Sequence, residues 1–298
     1  WNIAARDLTL DRSPGSPWLL LPPRERAAFD RITGAGIPLF TSVLGRPHLG
    51  VKTGCNSAFV VRKGDESGEV TAVIADGKRG DVETRLLRPL VRGDTLTRWR
   101  IAAHDERIIW THDSAGSPLR TLPPHAQRWL ARSRRALERR SDSRSDRWWS
   151  LFRVESACAR SPRVIWADFG RSPTAAILEA DDPTVPLNTC YSVTCPDISD
   201  ALAFAAILNS RIAAAWLAAI AEPARGGYHR YLGWTIARLP VPVDWPRAVG
   251  MLAPIAQRAR TGFPPADDEL DAIVLASYDL DAAALDPLLD WTDARRRD

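Results

Sequence analysis

The spacing of apolar and polar positions changes several times along this 298-residue chain, and each change predicts a different kind of element. A short amphipathic stretch at 24–31 predicts a helix. Runs rich in β-branched and aromatic residues at 37–43, 58–62, 69–75 and 107–111 predict strands, and 163–167 and 188–193 repeat that pattern. The longest apolar run, 199–221, predicts one long helix, followed by a strand at 231–236. Beyond Leu239-Pro240-Val241-Pro242 only helical periods remain, at 245–260, 267–278 and 282–294. Residues 1–23 alternate short apolar groups with Pro and Gly and read as a connecting segment. The expected architecture is mixed α/β (α+β): a linker over 1–33, a β-rich body with packed helices over 34–243, and a small helical C-terminal tail over 244–298.

One segment breaks the polar/apolar logic by charge. After Pro123-Pro124, a helical run carries eight arginines between Arg128 and Arg147 against Glu138, Asp142 and Asp146. Two readings fit: a solvated helix face, or a surface that tracks phosphates through residues such as Arg132, Arg135 and Arg139, since like charges on one helix repel unless a partner neutralises them. The whole chain carries +4 and is 45% hydrophobic and 26% charged, the composition of an ordinary globular protein that suits a polyanionic partner without requiring one. Arginine far outnumbers lysine; bidentate recognition of phosphate or guanine favours that choice, and a GC-rich genome produces it as well.

Four cysteines, Cys55, Cys158, Cys190 and Cys195, are too scattered for a secreted disulfide framework, so a reducing, cytoplasmic location is expected. Cys190 and Cys195 are spaced C-x4-C, but no second pair completes a zinc site, which favours buried free thiols. The apolar run 199–221 approaches membrane-spanning length. Asn209, Ser210 and Arg211 at its centre argue for a buried helix instead, because a central arginine costs roughly 2.5 to 3.5 kcal/mol on insertion. No membrane association is expected. The chain opens on Trp1 and its single methionine is Met251, so an upstream segment is expected.

Catalytic signatures are missing in whole classes. There is no G-x-S-x-G, H-E-x-x-H or G-x-x-x-x-G-K-[ST], and Asp168-Phe169-Gly170 lacks the other kinase elements that would give it meaning. A nuclease cluster has only Pro196-Asp197 as a start, with no E-x-K after it. His48, His104, His112, His125 and His229 are dispersed and read as surface or hydrogen-bonded core residues. No self-contained active site is expected.

The distinctive local pattern is Gly50-Val51-Lys52-Thr53-Gly54-Cys55-Asn56-Ser57-Ala58-Phe59-Val60-Val61, a glycine-bracketed turn that leads into a strand. Its glycines permit close backbone approach to a partner, Lys52 offers a cation to phosphate, and Thr53 and Asn56 offer neutral hydrogen bonds to phosphate or a base edge. A hairpin turn in which Asn56 caps its own backbone fits equally.

This run resembles the G-I-x-T-G-x-N-x-A-F-x-I signature that opens the target-recognition region of TaqI-like DNA adenine-N6 methyltransferases and related type II restriction-modification enzymes. Arg88-Pro89-Leu90-Val91-Arg92-Gly93-Asp94 resembles the family's "lkPfl-r-g-dI" segment, and Arg107-Ile108-Ile109-Trp110 its following strand. Trp148-Trp149-Ser150-Leu151 is similar to its "W-x-x-L" stretch, Ala206-Ile207-Leu208-Asn209-Ser210 to its "lLNS" helix, and Leu239-Pro240-Val241-Pro242 to its "LPIP" ending. Glu269-Leu270-Asp271-Ala272-Ile273-Val274 with Tyr278 resembles the tail pattern "eID-x-lV-x-x-lY-x-L". The ordered set covers about 38–280, departing at Cys55 and at Asp279-Leu280, where the family favours a larger apolar residue and a glycine before the leucine.

The resemblance implies a lobe that reads double-stranded DNA for an adenine-N6 methyltransferase. The family's D-P-x-x-G-x-G and N-P-P-Y/F motifs are missing here, so S-adenosylmethionine and the chemistry are expected in an upstream catalytic domain of the same polypeptide, with no cofactor in this chain. DNA-binding candidates are Lys52, Thr53, Asn56, Arg92 and Arg98, the basic-run residues Arg132, Arg135 and Arg139, and Arg225, Tyr228, His229 and Arg230 of a Gly-Gly loop. That loop reads either as a groove element or as a connector between the apolar helix and the strand at 231–236. Two alternatives remain: a type I-like specificity subunit, which would carry a second recognition region and long helices, and a non-catalytic protein-interaction module.

Overall fold

Valine, threonine and isoleucine between positions 60 and 109 build the largest sheet of the computed structural model, which describes residues 8–10, 16–141 and 147–297. Its strands run Val185–Pro186, Leu87–Val91, Glu106–Ile109, Val60–Ser67, Val70–Ala75 and Lys78–Glu83 across the sheet. The first pair is parallel and the others antiparallel. Asp76 and Gly77 close one hairpin with φ of 48° and 71°, the left-handed pair that an Asp-Gly turn supplies most cheaply. Phe59, Val61, Val73, Val82, Ile108 and Ile109 are all buried beneath the sheet's helices and loops. The strand expected at 58–62 starts late: Asn56–Phe59 makes one helical turn, and the strand begins at Val60.

The sheet belongs to a unit formed by Pro47–Asp168 and Ala175–Ala201. A second, antiparallel sheet of the same unit orders Ala175–Leu178, Arg163–Ala167, Cys190–Thr194 and His48–Leu49. Arg163 is wholly buried there and donates to the carbonyls of Ser156 (2.7 Å) and Asp182 (2.6 Å). The basic run is not one helix. It divides into Pro124–Ala131 and Arg134–Glu138 where Ser133 leaves helical geometry (φ −111°, ψ 9°), and Leu130 and Leu137 are both buried. Glu83 caps the first piece, accepting the backbone N–H of His125 and of Ala126 at 2.9 Å each. Trp129 Nε1 donates to the Ala58 carbonyl at 2.9 Å, anchoring that helix. Asp142 and Asp146 of the run lie outside the described residues.

The other unit gathers Trp1–Arg46, Phe169–Thr174 and Leu202–Asp298. Helix Pro23–Gly34 buries Phe29, whose ring stacks on Trp216 at 4.9 Å, and packs against helix Asp286–Arg297. The strand expected at 37–43 shrinks to Gly36–Pro38, paired with Pro240–Pro242 and followed by a 3-10 turn at Leu39–Thr41. Prolines on both partners remove the N–H groups that a longer ladder needs. A Cβ at Gly36 would lie 2.6 Å from the Val241 carbonyl oxygen, so only glycine fits that approach.

The expected single helix at 199–221 is two, Ile198–Leu208 and Arg211–Ile220, bent by 67°. Ser210 caps the second, accepting the Ala213 N–H at 3.1 Å, while Arg211 gives its backbone N–H (2.9 Å) and Nε (2.6 Å) to the carboxylate of Asp271. No single helix among the described residues is long and apolar enough to cross a membrane. The strand expected at 231–236 is instead a helical turn, Gly233–Ala237, that buries Thr235 and Ile236. Helices Trp245–Arg260, Asp267–Ser277 and Asp286–Arg297 form the C-terminal tail. Tyr278 Oη donates to the Pro240 carbonyl at 2.7 Å, joining the tail to the Leu239–Pro242 segment.

Candidate functional site

The glycine-bracketed turn is held from several directions by its own unit. Gly50 and Val51 donate to the carbonyls of Cys190 (2.9 Å) and Pro186 (2.7 Å), and Lys52 exchanges backbone bonds with Phe152 (2.9 and 3.0 Å). A Cβ at Gly50 would sit 2.1 Å from the Leu187 carbonyl oxygen, and Gly54 takes φ +65° with the Arg140 side chain against it. The close approach that these glycines permit is therefore to the chain itself, which corrects the expectation of approach to a partner. Arg140 fastens the turn by donating to the carbonyls of Thr53 (2.5 Å), Leu137 (2.9 Å) and Trp148 (2.7 Å), and it lies over the rings of Phe59 and Phe152. Sequence reading counted Arg140 in the basic run, and only the fold shows it as the pin of the turn.

Thr53 needs correction as a contact residue. It is buried, donates its hydroxyl to Asn56 Oδ1 (2.6 Å) and accepts the Cys55 N–H (3.1 Å), so it shapes the turn and has no free face for DNA. Asn56 remains exposed, with its side-chain oxygen engaged and its amide NH2 still able to donate. Lys52 is half-buried.

Beside the turn lies an open cleft of about 440 Å³ lined by Asn56, Arg62, Asp76, Arg92 and Glu106, among others. Arg92 stands 3.5 Å from Glu106 as a partly exposed ion pair. The fold thus brings Arg92 to Asn56 across 36 positions of sequence and adds Arg62, which sequence reading missed. The alternation of the strand that carries Arg62 was the available signal. Arg98 is not in the cleft lining; it sits in the turn between Leu96–Thr97 and Arg100–Ile101.

The basic run sorts into two groups. Arg140 and Arg147 hold backbone carbonyls, Arg134 pairs with Glu138 (2.7 Å), and Arg132 donates to the Arg79 carbonyl (2.9 Å) while lying over Trp129. Arg135 and Arg139 are exposed and make no hydrogen bond or ion pair among the described residues. Arg135 shares with Arg132 and Arg134 the lining of a shallow cleft of about 730 Å³. Of Arg132, Arg135 and Arg139, the three expected to track phosphates, Arg132 is held by its own unit, whereas Arg135 and Arg139 keep unengaged side chains.

In the other unit, 225–230 is neither a bare loop nor a connector to a strand at 231. Glu222–Ala224 and Tyr228–Arg230 form a hairpin, with Gly226 and Gly227 at φ 73° and 72° in its bend. Phe169–Gly170 adds a third strand, pairing Phe169 with Arg230 and Gly170 with His229. Arg225, Tyr228 and Arg230 are exposed, whereas His229 is partly buried against the ring of Tyr231. Phe169 and Gly170 carry no strand signal in the sequence, because two residues are too few to show a strand period.

Cys190 and Cys195 are buried free thiols; burial pushes Cys190 far above the usual thiol range and Cys195 up to about 12. No group of three or more His, Cys, Asp or Glu able to hold a metal occurs among the described residues. Both clefts above are open and rich in charged side chains.

No protein-family model matches this chain, and no curated protein sequence matches it. Among solved structures, its fold is similar to one described as the type IIL restriction-modification enzyme MmeI in complex with DNA, with TM-score 0.49 and 12% identity over 85% of this chain and 36% of that one. It is also similar to the type IIG restriction endonuclease BpuSI, with TM-score 0.47 and 13% identity over 92% of this chain and 33% of that one. The chain spans about a third of the length of each.

Proposed function

We propose that this chain is the sequence-reading region of a site-specific DNA adenine-N6 methyltransferase of the restriction-modification type. The observation that carries the reading is convergence within one unit. The stretches resembling the family's motifs at 50–61, 88–94, 107–110 and 148–151 are dispersed in sequence, yet they share one unit, linked by the sheet and by Arg140. The cleft that results presents Asn56, Arg62 and Arg92, an amide and two guanidiniums suited to base edges and phosphates.

In this reading S-adenosylmethionine binds an upstream domain of the same polypeptide and supplies the methyl group there. This chain holds the duplex. Extruding an adenine costs a few kcal/mol, and contacts from Asn56, Arg92, Arg135 and Arg139 offset that cost while fixing which adenine leaves the stack. The test is to sequence the reading frame upstream of Trp1 and to map N6-methyladenine in a host that expresses the whole frame. An N-P-P-Y/F motif and one methylated sequence are expected. A frame without that motif, or a genome without methylated adenine, overturns the reading.

A further inference from the structure

The three-stranded sheet of Phe169–Gly170, Tyr228–Arg230 and Glu222–Ala224 has one face in water and carries an ordered aromatic stack on it. Its register sets Phe169 opposite Arg230 and Tyr228 opposite Ala224, which places Phe169, Tyr228 and Arg230 on the same side. The Phe169 and Tyr228 rings stack at 4.9 Å with 17° between their planes. The Arg230 guanidinium lies 5.8 Å from the Phe169 ring centre, and that of Arg171 lies 5.5 Å from the Tyr228 ring centre. His229 and Gly170 fall on the opposite side.

Two properties of this face point to a ligand. Phe169 is 44% exposed and Tyr228 36% exposed, so the stack is not a core element. The side chains of Arg171, Arg225 and Arg230 are exposed and make no hydrogen bond or ion pair among the described residues, and the sheet's one carboxylate, Glu222, stands opposite Arg230 on the same side. A surface of this kind complements a polyanion. A guanidinium resting on a ring uses its π face, and its in-plane N–H edge stays available for two parallel hydrogen bonds. Stacking also removes part of the rotamer freedom that a lone surface arginine loses on binding. The acceptor that matches a held, edge-on guanidinium in duplex DNA is the O6/N7 edge of guanine in the major groove.

We propose that the exposed face takes a guanine edge of duplex DNA through Arg230, and that Phe169, supported by Tyr228, is the positioning residue that presents Arg230; this rests on the DNA-reading function above. The experiment selects binders from a randomised duplex library with the 298-residue chain and then measures affinities for the selected site and for its single-base variants. The unsubstituted chain enriches a motif with a fixed G·C pair. Arg230→Ala lowers the preference for guanine at that position by roughly 10-fold or more. Phe169→Ala loses most of the same preference, Phe169→Tyr keeps it, and Phe169→Ala adds nothing in an Arg230→Ala background.

If Phe169→Ala weakens all duplexes alike and leaves the motif intact, Phe169 is only a packing residue and the proposal fails. If Arg230→Ala does the same, the face grips phosphate and the proposal also fails. In both cases the DNA-reading function stands, because the motif is still selected. A chain that enriches no motif at all overturns that function and the proposal with it. Equal thermal midpoints for Phe169→Ala and Phe169→Tyr check that any loss of preference is not loss of fold.

Discussion

Burial beside Trp110 leaves His112 5% exposed, and desolvation holds its imidazole down to about 4. An unfolded histidine titrates near 6.5, so between that value and about 4 the unfolded chain takes up a proton that the folded chain refuses. The sign follows: the depressed folded value makes stability fall as the pH drops through that window, by up to about 3 kcal/mol. Urea midpoints at pH 7 and pH 4.5 should draw together in His112→Gln relative to the unsubstituted protein. Equal pH dependence in the two proteins would show that His112 is not the group responsible. Sequence reading expected a surface or hydrogen-bonded core histidine, and the core is where the fold puts it. It had no means of separating Thr53 from Asn56, because both are small polar residues in one turn and only burial divides them. The same holds for the arginines, whose type is legible while their partners, such as the three carbonyls on Arg140, come from distant segments.

At the scale of elements, the short helix Arg134–Glu138 and its flanking Arg139 give the basic run its test. If Arg135 and Arg139 meet phosphates, replacing both with alanine should weaken binding to every duplex alike. It should also flatten the dependence of log affinity on log salt by about 0.9 for each lost contact. An unchanged slope in filter-binding or anisotropy titrations would mark the helix as a solvated face. Strong periods were legible here: helix Trp245–Arg260 and strand Arg163–Ala167 fall where the sequence predicts. Prediction failed where a local contact overrides the period. Ser210 and the Arg211–Asp271 pair break an apolar run into two helices, and prolines cut the strand at 36–38 short.

The mixed α and β character of the whole molecule was legible from those periods, but its division into units was not. Each unit is assembled from segments far apart in sequence, and long-range pairing leaves no trace in composition. That feature has a consequence for how the protein is made. In one unit, Gly36–Pro38 pairs with Pro240–Pro242, and helix Pro23–Gly34 rests on Asp286–Arg297, so its first elements wait for its last. On the ribosome, the whole of the other unit, residues 47–168 and 175–201, is synthesised before that closure is possible. Until then the face of helix Pro23–Gly34 that rests on Asp286–Arg297 stays open to chaperones and proteases. Limited proteolysis of stalled nascent chains should cut within residues 16–46 up to the length at which 286–297 emerges, and protection at shorter lengths would refute this order of closure.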